Sequence, residues 1–219
     1  MINLGEIIGT YLMLMIGLGM GMYLKSKRHV VIGLSWALAI FVASAIGTQF
    51  GTADMNPVFS IHSFMQGQHS AGFLAGQLIG QVIGTLLAML CLAVLFDRQR
   101  TLPLQNYAAV PNNSHVIVNT VLEMLATTSL LIVAGFLSAT IKIDLLRFML
   151  IGLYIGVIIT LLCKRTGASF NPTRDILPRF FWYLTRQQPR DYPLVKRGLI
   201  SSNLGPLLAL ILVQFILKK

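Results

Sequence analysis

Two stretches carry the residue types and spacing that can do chemistry: Asn56-Pro57-Val58 and Asn171-Pro172-Thr173-Arg174-Asp175. An asparagine side chain offers a carbonyl acceptor and two N–H donors on one planar group. Asn is a favoured helix N-cap, and proline is favoured at the first helical position because its missing N–H would be unpaired there anyway. Each pair therefore predicts a helix start whose amide can direct an N–H at a passing water or hydroxyl oxygen; capping alone is the plainer reading. Arg174, three residues after Asn171, sits against the favourable direction of the helix dipole, at a cost of about 0.3–1 kcal/mol. An arginine at membrane depth is a functional candidate, the alternative being a snorkelling side chain or one paired with Asp175. Glu6 and Glu123 are either proton-coupling carboxylates or acceptors for backbone N–H groups that leave helical geometry. His62 and His69 read as interfacial polar residues, with a pH gate the weaker alternative. The sequence shows no metal-ligand, phosphate-binding or nucleophile pattern, so no metal, cofactor or enzymatic activity is expected.

The elements that must position these residues are apolar. Six runs, approximately 7–24, 30–50, 71–96, 116–139, 148–163 and 199–217, reach or approach the roughly 20 residues that cross a bilayer. The fifth is short, as for a helix that feeds directly into a re-entrant loop. Segments 57–67 and 172–184 are too short to cross and are expected to be half-helices. Starting at membrane depth, they need protein or a water-filled cavity around their unpaired N–H groups.

The order repeats. Glu6 and Glu123 are 117 residues apart, Asn56 and Asn171 are 115 apart, and Ile32-Gly33-Leu34 matches Ile151-Gly152-Leu153 at an offset of 119. Loop 97–115, with Pro103, Pro111 and Asn112-Asn113, reads as the boundary between repeats of about 1–100 and 115–219 within one domain. Three spans per half force opposite membrane orientations, so the repeat is inverted and the half-helices should meet tip to tip near the midplane. Gly72, Gly76, Gly80 and Gly84 form a ridge on one face of the third span, which predicts close helix contact there.

Composition sets the class. Of 219 residues, 55% are hydrophobic and 11% charged, against roughly 25% charged in soluble domains, and the mean hydropathy is +0.75. The net charge of +10 sits in short segments between spans, which points to lipid headgroups and away from nucleic acid. Cys91 and Cys163 lie in apolar runs and read as buried small hydrophobes, a disulfide between them remaining open. The first run has neither a basic n-region nor a small-residue cleavage site, so it is expected to stay as a membrane span.

The two Asn-Pro pairs on inverted three-span repeats, the glutamate in the first span of each half, and Arg174-Asp175 after the second pair together resemble the aquaporin and glycerol-facilitator family across essentially the whole chain. The resemblance implies an all-α fold of six transmembrane helices plus two re-entrant half-helices, a homotetramer, and a pore for small neutral solutes. By distance from the Asn-Pro pairs, the family's outer constriction falls on Trp36, Ile159, Ala168 and Arg174. Ile159 stands where water-selective members have histidine, and a tryptophan face beside a guanidinium suits a solute with carbon on one side and hydroxyls on the other. A lipid-facing role is the alternative for Trp36. Asp175 and Arg179 also resemble the glycerol-conducting branch, whereas Ser202 stands where that branch usually has proline; Asn203 next to it is non-aromatic, as in that branch. Val58 and Thr173 replace alanines and are expected to narrow or shift the pore centre. Asp54 replaces a histidine and is expected to place negative charge near the inner mouth.

The resulting expectation is a passive channel for glycerol and other small uncharged solutes, with water, excluding ions and protons, in a plasma membrane, bacterial by the compact chain. A mainly water-selective channel and a proton-coupled secondary transporter are the alternatives. The family's orientation, with both termini cytoplasmic, puts Lys25, Lys27, Arg28, Arg98, Arg100, Lys164, Arg165, Arg186, Arg190, Lys196 and Arg197 outside and Lys142, Arg147, Lys218 and Lys219 inside, contrary to the positive-inside rule. Labelling at Ser26 and Ser114 distinguishes the two orientations.

Overall fold

The computed structural model describes residues 1–25, 28–186, 196 and 198–217. Ser26, Lys27, Arg190, Arg197, Lys218 and Lys219, which entered the orientation argument, lie outside the described residues. Among those described, the chain is helical, with spans α1 (Leu4–Leu24), α2 (His29–Gly47), α4 (Ala71–Phe96), α5 (Val116–Thr140), α6 (Asp144–Thr166) and α8 (Leu199–Leu217) and shorter helices α3 (Pro57–Met65) and α7 (Pro172–Thr185). The six long helices have the length and apolar composition to cross a membrane.

Pairing follows the repeat. Helix α1 packs on α4 and α5 packs on α8, which are equivalent contacts in the two halves, while α2 and α6, equivalents of each other, pack together across the pseudo-two-fold axis. Glycine makes these crossings close. A Cβ on Gly80 would lie 2.7 Å from the Asn3 carbonyl, and one on Gly84 would lie 2.5 Å from that of Ile7, so the ridge of α4 takes the backbone of α1. Gly76 meets the Met1 carbonyl, but Gly72 finds only Ser70 Oγ at 4.0 Å. The close contacts of the ridge are thus made by three glycines, Gly76, Gly80 and Gly84. A second crossing has the same cause. Gly33 of α2 faces the Gly156 backbone and Thr160 of α6, and Gly152 faces the Ala37 carbonyl at 2.6 Å.

Two sequence expectations change. Helix α6 has 23 residues and starts at Asp144, so the fifth span is full length. Asp144 in its first turn complements the helix dipole and pairs with Arg147 at 2.6 Å, which extends the helix past the apolar run. Loop 97–115 is also more than a linker, since Leu104, Tyr107, Ala108, Ala109 and Val110 are buried. Asp97 ties its start: Oδ1 accepts the N–H groups of Thr101 and Leu102 at 2.8 and 3.1 Å, and Oδ2 accepts the Tyr107 hydroxyl at 2.8 Å. Burial, together with the Asp97 carboxylate, pushes the Tyr107 hydroxyl above the ordinary phenol range. Cys91 and Cys163 are free thiols, each half-buried.

Candidate functional site

The two re-entrant loops are built alike. Asn56 caps α3 by accepting the Val58 N–H at 3.1 Å, and Asn171 caps α7 by accepting those of Thr173 and Arg174 at 3.0 and 3.3 Å. The prolines that follow occupy the first helical position. Each amide then reaches into the other loop: Asn56 Nδ2 donates to the Phe170 carbonyl at 2.9 Å, and Asn171 Nδ2 to the Met55 carbonyl at 2.7 Å. Met55 and Phe170 both have left-handed backbone, at φ +54° and +53°. That conformation costs a non-glycine residue about 1–2 kcal/mol, and here the cross-loop bonds to their carbonyls hold it.

The glutamates complete each loop from below. Glu6 accepts the backbone N–H groups of Asp54 and Met55 at 2.7 and 2.8 Å, and Glu123 accepts those of Ser169 and Phe170 at 3.2 and 2.9 Å. Both carboxylates are fully buried, and neither lines the cavity. Asp175 supports the second half differently. Its Oδ1 accepts the Ala109 N–H and an Arg179 N–H, each at 2.8 Å, while Oδ2 accepts from Arg179 Nε and Asn203 Nδ2, each at 3.0 Å. Arg179 Nη2 also donates to the Ala109 carbonyl at 2.7 Å. Loop 97–115 is thereby clamped over α7.

A cavity of about 410 Å³ runs past both tips, lined by Asn56, Asn171, Trp36, Ile159, Ala168 and Arg174 among others. The four residues assigned to the constriction thus lie on one cavity although they come from α2, α6, the second loop and α7. Trp36 is only 6% exposed, so it does not face lipid. The Arg174 guanidinium carbon stands 4.9 Å from the Trp36 ring centroid, within the range of cation–π attraction. No carboxylate pairs with Arg174 among the described residues; Asp175 binds Arg179 instead. Arg174 Nη1 is buried without a hydrogen-bond partner, although the residue borders the cavity. The guanidinium thus keeps a donor that no protein acceptor takes, on a residue that lines the cavity.

Pro57, Val58, Pro172 and Thr173 are not among the cavity-lining residues. Val58 is fully buried in a cluster with Leu131, Leu210 and Val213, against which the cavity-lining Phe59 packs. Thr173, also buried, stands outside the lining as well. His69 stacks on Phe73 with centroids 4.3 Å apart. Sequence reasoning missed Gln77 and Gln81, fully buried on α4, whose amides donate to Asp54 Oδ2 at 2.9 Å and Glu6 Oε2 at 3.1 Å. Their four-residue spacing beside the glycine ridge, polar within an apolar span, is the signal by which they could have been found. Arg147 at the start of α6 also lines the cavity.

Known proteins of similar sequence and shape bear on this geometry. The chain is 26% identical over 233 residues to glycerol uptake facilitator protein 2 of Lactiplantibacillus plantarum, an alignment that covers 95% of this chain and 94% of that one. It is 26% identical to a probable glycerol uptake facilitator protein of Mycoplasmoides gallisepticum, over 84% of this chain and 80% of that one. Its fold matches the X-ray structure of the aquaglyceroporin from Plasmodium falciparum with a TM-score of 0.76 at 18% identity, covering 98% of this chain and 95% of the other. Residues 2–195 match the family model for major intrinsic proteins. With six spans, two opposed half-helices and this match over most of its length, the chain belongs to the major intrinsic protein family.

Proposed function

We propose that the protein is a passive transmembrane channel for glycerol and other small uncharged solutes, with water, and that it excludes ions and protons. The observation that carries this reading is the Arg174 guanidinium, buried beside the Trp36 ring with an unpartnered donor on a cavity that also holds both asparagine amides. Arginine supplies donors to hydroxyl oxygens and the indole supplies apolar area to the carbon chain. Ile159 and Ala168 leave the rest of the ring small or apolar, which favours a polyol over water alone. The relatives named as glycerol facilitators support the same substrate class. Ion exclusion follows from the opposed helix starts: each N-terminus carries about half a positive elementary charge, and Arg174 adds a full one.

The chain then acts as one channel domain of two inverted repeats, about 1–100 and 115–219, joined by loop 97–115, with no cofactor or metal. Its setting is a bacterial plasma membrane, in contact with lipid and assembled as a homotetramer. Swelling of proteoliposomes under gradients of glycerol, urea and an impermeant sugar tests the reading. Rapid glycerol entry is expected, with the glycerol-to-water ratio reduced in Trp36→Ala. Rapid water flux without glycerol entry would favour the water-selective alternative.

A further inference from the structure

The repeat makes Asp54 stand out. It lies two residues before Asn56, where the second half has Ser169 two before Asn171; four residues after each asparagine the types are reversed, Ser60 against Asp175. The carboxylate of the second half faces inward, saturated by Ala109, Arg179 and Asn203. That of the first half belongs to a residue lining the cavity. One oxygen is fixed: Asp54 Oδ2 accepts from Ser60 Oγ and Gln77 Nε2, both at 2.9 Å, and Ser60 and Gln77 are themselves fully buried. The backbone is fixed as well, through the Asp54 N–H to Glu6. The second oxygen, Oδ1, accepts no hydrogen bond within the described protein. Asp54 thus lines the cavity with one carboxyl oxygen that no donor of the described protein takes, and in its ionised form a carboxylate is acceptor-only.

Resting on the channel reading above, we propose that Asp54 is a second specificity-determining residue, an acceptor station for the O–H and N–H donors of a permeating solute, set across the asparagine pair from Arg174. The two stations are complementary. Arg174 offers only donors and takes solute oxygens as acceptors; Asp54 Oδ1 offers only an acceptor and takes the same hydroxyls as donors. A solute with several hydroxyls uses both stations along its path, whereas one with fewer donors loses more at Asp54 than at Arg174. The negative charge also stands beside the N-terminus of α3 and offsets the positive end of that half-helix.

The test compares the wild-type chain with Asp54→Asn and Asp54→Ser in proteoliposomes, measuring entry of glycerol, propane-1,2-diol and water. In Asp54→Asn the amide oxygen is held by the Ser60 and Gln77 donors, which turns an N–H toward the pore and replaces the acceptor with a donor. Asp54→Ser copies the equivalent residue of the other half. Both are expected to lower the glycerol-to-water permeability ratio about fivefold or more, and to narrow the preference for glycerol over propane-1,2-diol. With the entry into protein-free vesicles subtracted, each ratio is independent of how many channels insert, so loss of folded protein does not imitate the result. Ratios equal to wild type in both variants would overturn the proposal. Wild-type vesicles that pass water and no glycerol would bring down the channel reading itself, a separate failure visible before any variant is compared.

Discussion

The Asn171 side-chain amide donates to the Met55 carbonyl at 2.7 Å, joining two loops whose residues are 116 apart in sequence. The same side chain caps α7 through its oxygen, so one planar group terminates a helix and ties the halves of the protein together at their meeting point. Its counterpart Asn56 does the same in reverse.

Replacing Asn171 by Ala removes both functions at once. A lost cap costs about 1 kcal/mol and a lost buried hydrogen bond that orphans a carbonyl about 1–3 kcal/mol. Asn171→Ala is therefore expected to destabilise the protein by about 2–4 kcal/mol in detergent denaturation. Asn171→Asp keeps the capping oxygen, loses the bond to Met55 and sets a carboxylate against that carbonyl. It is expected to retain α7 while losing solute flux. Equal stability of Asn171→Ala and wild type would show that the cross-loop bond holds nothing.

Glu6 and Glu123 separate a channel from a proton-coupled transporter. Each receives two backbone N–H groups and neither borders the cavity. Glutamine at position 123 has one acceptor oxygen where two N–H groups arrive, so its NH2 faces a donor. Glu123→Gln is expected to lose about 1–3 kcal/mol of stability. At temperatures where the variant stays folded, its glycerol flux should still run down the solute gradient with or without a pH gradient. Accumulation of solute in wild-type vesicles, driven by a proton gradient and lost in Glu123→Gln, would establish the transporter instead.

These contrasts also show why some features are readable in a sequence and others are not. The half-helix starts were legible because Asn-Pro is local chemistry: the cap, the missing N–H and the fixed φ all reside in two adjacent residues. The spans were legible from apolar length. That Trp36, Ile159, Ala168 and Arg174 share one cavity came through the family resemblance, since no local rule joins four separate elements. Loop 97–115 was read as a boundary because Pro103, Pro111 and Asn112-Asn113 are turn residues. Its burial depends on tertiary partners, Asp97 for Tyr107 and Asp175 for Ala109, that hydrophobic periodicity does not register. The α2–α6 crossing at Gly33 and Gly156 was hidden for the same reason: the glycines are visible, but their facing each other is not.

Tyr107 gives a pH dependence with a definite sign. Its hydroxyl is buried and donates to Asp97, and both the burial and the carboxylate raise its pKa above the ordinary phenol value, which is about 10. A group with a raised folded-state pKa contributes stability that is complete below its unfolded pKa and is lost as pH rises above it. The loop should therefore loosen above about pH 10, which proteolysis within 97–115 or thermal scans would detect. Tyr107→Phe is expected to be less stable at neutral pH, having left Asp97 Oδ2 unpaired, but to show a shallower loss of stability between neutral and alkaline pH. Equal alkaline slopes for the two proteins would remove Tyr107 from the explanation.

Membrane orientation is the point on which charge and family disagree, and the structure supplies a reason to side with the family. Several of the bases on the expected outer face are not free to meet lipid headgroups. Arg100 donates to the Asp97 carbonyl and lies 5.8 Å from the Phe181 ring centroid, and Arg186 donates to the Leu102 carbonyl and lies 4.5 Å from the Trp182 ring centroid. Charges spent on holding loop 97–115 over α7 carry less weight in a rule that counts bases near span ends. At the opposite face, Lys142 is exposed in the short α5–α6 connection and Arg147 borders the cavity. Both termini are accordingly expected in the cytoplasm. In a background with Cys91 and Cys163 replaced, Ser114→Cys, at an exposed position, should react with an impermeant maleimide in intact cells, and Lys142→Cys should react only after permeabilisation. The reverse pattern would invert the molecule, placing Arg174 at the inner mouth and Asp54 at the outer one, so that an entering solute would meet the acceptor station first.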